Sequence, residues 1–261
     1  DLRLSSGIST IAKEIVLHTA DHFNFTYLGG AISHPEKGKR MDLSEDTNKI
    51  TGLTDSSITL YPTDNYGDSN LLRHLIKLEK PDAIFIFTDP RYFTWLFQVE
   101  NEIRKQIPIV YLNIWDSPFP FPLWNKPYYE SCDLLLSISK QTLNINKVVL
   151  GDIPWIDLDD SHIIDKKTKR STPILLKHCP HGLNQNIYKP IESTDPKLLS
   201  YKNVLFEGKE YEFVLFFNSR NIRRKQTPDA LLAFRMFLDK LPKEKAEKCL
   251  FLLHTQPVDD N

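Results

Sequence analysis

Four cationic side chains fall within six residues of the stretch Asn218-Ser219-Arg220-Asn221-Ile222-Arg223-Arg224-Lys225. The stretch follows an apolar run, Phe213 to Phe217, that reads as a buried strand. It precedes Thr227-Pro228, a cap and first-turn proline that open a helix. In an open α/β sheet, ligands bind in the crevice beyond the carboxyl ends of the strands. A helix start adds unpaired N–H groups and the positive end of a dipole. A diphosphate, with two or more negative charges, needs this kind of cradle, and arginine can hold its oxygens in bidentate fashion. The plain alternative is a solvated basic loop.

A second candidate is Asn113-Ile114-Trp115-Asp116-Ser117-Pro118-Phe119-Pro120, which also follows a predicted strand. Asp116 has the chemistry to act as a base, orient an acceptor hydroxyl or support a developing positive charge. The aromatics and prolines suit a wall for a sugar, or alternatively core packing, and an aspartate before Ser-Pro is also a good turn residue. Asp89, in Thr88-Asp89-Pro90-Arg91, occupies the equivalent place after the preceding strand, where it also suits a helix cap. His181 follows another strand in His178-Cys179-Pro180-His181-Gly182. A metal there lacks a fourth ligand at convincing spacing, so none is expected. Gly7 precedes a helix, where a glycine lets backbone approach a ligand closely.

The elements that must position these residues alternate between strand and helix. Helical spacing runs over residues 8–19, after the possible caps Ser5 and Ser6, and over 69–79, 92–105, 140–146 and 227–241. In the last of these, Ala230, Leu231, Phe234, Leu238 and Leu241 form the expected inner face. Strands are expected at 24–28, 57–61, 83–87, 107–112, 133–138, 174–177, 213–217 and 249–253. The run Ala83 to Phe87 has no polar alternation, so both its faces should be covered. Residues 31–56 read as irregular, 151–172 as a solvated surface loop containing the charge run Lys166 to Arg170, and 184–209 as a linker with a short helix. Strand–helix–strand alternation implies parallel pairing with helices on both faces. The expected division is a Rossmann-like domain over 1–190, a linker over 191–210 and the start of a second Rossmann-like domain over 211–261.

Composition narrows the function. The 261 residues are 41% hydrophobic and 26% charged, as in an ordinary globular chain. A net charge of -1 disfavours nucleic acid as the main partner. Three scattered cysteines, Cys132, Cys179 and Cys249, without a CxxC pair fit a reducing, cytoplasmic setting. No apolar run approaches the roughly 20 residues of a membrane helix. The nine glycines form neither GxGxxG nor a P-loop, and HExxH, EF-hand and GxSxG patterns are absent.

Four segments in order resemble the retaining glycosyltransferases of family 4, which have the GT-B fold of two facing Rossmann-like domains. Ser6-Gly7-Ile8 resembles the family's glycine loop. Asp116 to Pro120, followed by Tyr128 to Asp133 and Ser137 to Lys140, resembles its acceptor-domain stretch. Pro180 to Asn184 with Tyr188-Lys189-Pro190 resembles its interdomain turn. Arg220 with Lys225, then Pro228 to Phe234, resembles its donor-diphosphate loop and helix. The resemblance implies transfer of a sugar from a nucleotide-diphosphate sugar to an acceptor (a glycan, lipid or protein) with retention at the anomeric carbon. Arg220 and Lys225 would neutralise the leaving diphosphate in place of a metal ion, with Arg224 able to replace either. No cofactor is implied, and peripheral membrane association stays open.

Two departures accompany the resemblance. The family often has a histidine in the loop that reads Ile114-Trp115-Asp116 here, leaving Asp116 as its substitute. Its later glutamate pair has no counterpart before residue 261, and the strand expected before Ser5 is missing, so an internal piece of a longer enzyme is expected. The alternatives are a non-catalytic nucleotide- or phosphate-binding module, or an epimerase or phosphorylase of similar architecture.

Overall fold

The computed structural model describes residues 1–4, 6–31, 34–160, 163–164 and 172–257. Ser5 and the charge run Lys166 to Arg170 lie outside the described residues. The chain forms two compact units, Asp1–Gly182 and Leu183–Asn261, parting earlier than the division expected near residue 190.

The first unit begins with α1 (Gly7–Thr19), whose start is capped by the Ser6 side chain accepting from the Ser9 N–H. There follow β1 (Phe25–Ala31), β2 (Met41–Asp42), α2 (Ser44–Thr51) and β3 (Ile58–Asp64). β1 and β3 pair in parallel, and β2 adds to β3 antiparallel. Ala12, Val16 and Ala20 of the α1 segment close over Ile58. The stretch 31–56, expected to be irregular, therefore contains a strand and a helix. α2 is mostly polar and buries only Thr47, so its periodicity is faint.

The larger sheet is built from α3 (Ser69–Glu79), β4 (Ile84–Phe87), α4 (Thr94–Phe97), α5 (Glu100–Ile103), β5 (Ile109–Asn113), α6 (Lys126–Glu130), β6 (Leu134–Ser137), α7 (Lys140–Leu150), β7 (Trp155–Asp157), β8 (Ile163–Ile164) and β9 (Ile174–His178). Its strand order is β4-β5-β6-β9-β7-β8, parallel except for β8. Asp68 caps α3 by accepting from the Asn70 and Leu71 N–H groups, and Leu72 and Leu75 turn inward. Tyr111, Tyr129, Ile109, Leu135, Ile145, Leu150, Ile174 and Leu176 are fully buried between the layers.

Three expectations are corrected in this sheet. The single helix over 92–105 is a 3-10 turn at Pro90–Phe93 followed by α4 and α5, because Phe93 and Val99 take non-helical backbone angles. Its inward residues Phe93, Leu96, Phe97 and Ile103 still reach the core. β4 is an edge strand, and Phe85 on one of its faces stays exposed while Ile86 on the other is buried, so the strand is not covered on both sides. Part of the expected surface loop at 151–172 is the sheet strand β7, with Trp155 and Asp157 buried against β9.

The second unit contains α8 (Pro196–Phe206), β10 (Phe213–Asn218), α9 (Thr227–Leu238), α10 (Lys243–Ala246) and β11 (Cys249–His254). β10 and β11 pair in parallel. Phe234 stacks on Phe251 and Phe237 meets Phe213, so these two rings face the sheet while Leu231 is exposed, contrary to the expected inner face. β10 is not buried either: among the described residues it pairs only with β11, and Phe213, Val214, Leu215 and Phe216 are exposed.

Candidate functional site

Parallel register brings the carboxyl ends of the first unit's strands side by side. Phe87 pairs with Leu112, Asn113 with Ser137, and Ser137 with His178. The segments that follow therefore leave from one edge: Thr88 to Arg91, Ile114 to Asp116, Ile138-Ser139 and Cys179 to Gly182. Four strands thus gather Asp89, Asp116 and His181 at the edge where an open sheet binds ligands.

The Asp89 carboxylate accepts the Arg91 N–H at 2.9 Å and the Arg91 guanidinium at 2.9 Å through Nε and 2.5 Å through Nη2. Burial opposes its ionisation, but these side-chain and backbone bonds outweigh burial and hold its pKa below the usual aspartate value. Asp89 caps the 3-10 turn as the sequence allowed. Arg91 extends from it, with Cζ 5.8 Å from the centre of the Trp115 ring.

Asp116 stands exposed, and its carboxylate has no hydrogen bond or ion pair among the described residues. Its backbone, in contrast, is anchored. Gln141 Nε2 donates to the Asp116 carbonyl at 2.6 Å, and Thr142 Oγ1 donates to the Trp115 carbonyl at 2.9 Å. The first turn of α7 thus holds two successive carbonyls of the loop. The result is a fixed backbone carrying an exposed carboxylate.

The His181 ring sits edge-on to Phe87 at 5.9 Å, and burial lowers its pKa. Gly7 is the first residue of α1; a Cβ there would meet nothing within 4 Å among the described residues, so their packing does not require glycine. Among the described residues, no group of three or more His, Cys, Asp or Glu side chains is placed to hold a metal ion.

The basic residues lie in the second unit. Arg220 is exposed in the segment after β10, and Arg223–Lys225 form a 3-10 turn, all exposed, before α9. Gln226, at φ 50°, occupies the N-cap position without a side-chain bond, and Thr227 is the first helical residue rather than the cap. The adjoining strand ends are stitched together, with Asn218 Oδ1 2.9 Å from His254 Nδ1 and Asn221 Nδ2 donating to the Pro257 carbonyl at 2.8 Å. Arg224 and Lys225 make no ion pair among the described residues. The Thr227 and Thr255 hydroxyls are buried without a hydrogen-bond partner in the described structure.

Sequence reasoning gave no role of their own to Asn113 and Ser137, which it placed in candidate stretches, and passed over Tyr111, Asn146, Gln141 and Thr142; all six shape the strand-end edge. The available signal was polar residues at the ends of apolar strands and an asparagine inside a helix.

This architecture is an α/β, Rossmann-like, GT-B fold. No protein-family model matches the sequence, and no curated protein sequence does. Solved structures match in fold. OtsA in its apo form superposes with a TM-score of 0.59 at 14% identity, over 95% of this chain and 62% of that one. HepE from Anabaena in complex with UDP gives a TM-score of 0.50 at 14% identity, over 97% of this chain and 66% of that one. The chain therefore spans less than two thirds of the length of either.

Proposed function

We propose that this chain belongs to a metal-independent glycosyltransferase of the retaining family 4 type, which moves a sugar from a nucleoside-diphosphate sugar to an acceptor hydroxyl. The observation that carries the reading is the cationic segment Arg220 to Lys225, which joins the end of β10 to the start of α9. The UDP held by HepE, a protein of the same fold, supports a nucleoside diphosphate as the ligand. In this reading the first unit is the acceptor side, and residues 211–261 begin the donor side.

In the reaction the acceptor oxygen bonds to the anomeric carbon while the bond from that carbon to the diphosphate breaks. The electron pair leaves with the diphosphate, whose growing charge Arg220 and Lys225 neutralise, with Arg224 in reserve. The acceptor proton passes to the departing phosphate oxygen or to Asp116, which orients the hydroxyl. Asp89, His181 and Gly7 complete the candidate contacts. The acceptor is a glycan, lipid or protein. The setting is cytoplasmic, in keeping with three free cysteines, and no described helix is long and apolar enough to cross a membrane.

The test is calorimetric titration of the full chain with UDP, together with UDP release from a panel of UDP-hexoses. Binding with release supports the transferase. Binding without release in the presence of candidate acceptors points instead to a nucleotide-binding module, and absence of both rejects the reading.

A further inference from the structure

Tyr111, Asn113, Ser137, Thr142 and Asn146 have no exposed surface, yet all are polar. Buried polar groups at this density must be paired, and they are. Asn113 Nδ2 donates to Asn146 Oδ1 at 2.6 Å, and Asn146 Nδ2 donates to Ser137 Oγ at 2.9 Å. Asn113 Oδ1 accepts the Trp115 N–H at 3.0 Å. The Tyr111 hydroxyl donates to the Thr88 carbonyl at 2.8 Å and lies 3.2 Å from Asn113 Oδ1. The network runs from β6 and α7 through β5 to the loop after β4.

Its outer ends carry the candidate carboxylates. Thr88 has φ 100°, a strained backbone angle for a β-branched residue. The next residue is Asp89, which grips Arg91, which in turn lies against Trp115. On the other side, the Asn113 bond to the Trp115 N–H and the α7 bonds to the Trp115 and Asp116 carbonyls fix the second loop. One buried hydrogen-bond system thus reaches both loops, at the Thr88 carbonyl and the Trp115 N–H, and the exposed Gln141 adds its bond at Asp116. Backbone strain of this kind persists only where its surroundings enforce it.

We propose that Tyr111 and Asn113 are positioning residues: from inside the sheet they fix the loops 88–91 and 113–116, and so hold Asp89 and Asp116 in the relation that the acceptor-side chemistry needs. The role rests on the glycosyltransferase reading, whereas the network does not.

Tyr111→Phe in the full chain removes one hydroxyl and keeps the ring volume, and Asn113→Ala removes the amide's contacts with Asn146, the Trp115 N–H and the Tyr111 hydroxyl. Three quantities are measured: affinity for UDP, kcat and KM for UDP release from UDP-hexoses, and amide hydrogen exchange. For Tyr111→Phe the expected result is unchanged UDP affinity and KM, kcat lower by about tenfold to a hundredfold, and faster exchange confined to the two loops. Asn113→Ala should extend the same pattern, and if it fails to fold Tyr111→Phe alone decides. Unchanged kcat, or exchange that rises evenly across the six-stranded sheet, overturns the proposal. Should the wild type neither bind UDP nor release it, the glycosyltransferase reading fails separately. Exchange confined to the two loops would then uphold the positioning of those loops, and an even rise would overturn that as well.

Discussion

Lys147 Nζ lies 2.5 Å from the Asp157 carboxylate, which is almost wholly buried, and 5.3 Å from the centre of the Trp155 ring. The pair ties α7 to β7. Leaving one member of a buried pair behind typically costs 3–5 kcal/mol, and partial exposure of Lys147 places this pair at the lower end. Lys147→Met should therefore destabilise the first unit by about 3 kcal/mol in urea unfolding. The double variant Lys147→Met with Asp157→Leu should lose less. A loss below about 1 kcal/mol for the single variant would mean that Asp157 is hydrated, as in a surface loop.

Gly30 faces the backbone of Asn65 so closely that a Cβ would stand 2.0 Å from its carbonyl oxygen. A backbone atom cannot swing aside as a side-chain tip can. Gly30→Ala should cost at least about 2 kcal/mol, read as a lower urea midpoint. Gly7→Ala, which meets no neighbour, should leave the midpoint nearly unchanged. Equal effects at the two positions would contradict this packing.

Arg220→Ala with Lys225→Ala should weaken UDP binding strongly, since each charge-assisted hydrogen bond contributes about 1.5–3 kcal/mol. The variant should also show a shallower dependence of affinity on salt. An unaltered calorimetric affinity removes these residues from the donor site.

Asp116→Asn keeps the shape of the exposed side chain and the carbonyl that Gln141 holds. Its turnover should fall by about a hundredfold or more with donor affinity unchanged, the range of a positioned acid–base group. Turnover equal to that of the wild type would exclude Asp116 from the chemistry.

Asp89 gives a pH signature. Its folded pKa lies below the value of about 3.9 for an unfolded aspartate. Its contribution to stability is therefore complete above that value and is lost as pH falls through the folded pKa. Below about pH 4, Asp89→Asn should lose stability less steeply than the wild type. Parallel profiles would show that Arg91 does not hold the carboxylate in solution.

The parts legible in the sequence were those where one physical signal dominated. The α3 segment showed its helical spacing over 69–79 with Leu72 and Leu75 inward, and β5, β6 and β9 each carried a short apolar run. The misreadings occurred where signals competed. Trp155 to Asp157 is a three-residue strand among charged residues, too short for alternation to register. Phe213 to Phe216 looked buried because an apolar run reports what a strand can cover, not what covers it. At the site, Asp116 stood out by its place after β5. The roles of Asn113 and Asn146, which lie 33 residues apart, arise only when β5 and α7 pack together.

Every buried apolar side chain among the described residues lies at or before Leu176, while beyond Gly182 only Thr227 is buried. The two units therefore hold very unequal shares of whatever resists unravelling. Heat absorbed during a temperature scan would report mainly on the first unit, and one melting point could not stand for the molecule. Damage to β10 or α9 could then pass unnoticed in a thermal screen while still abolishing whatever the basic loop beside them does.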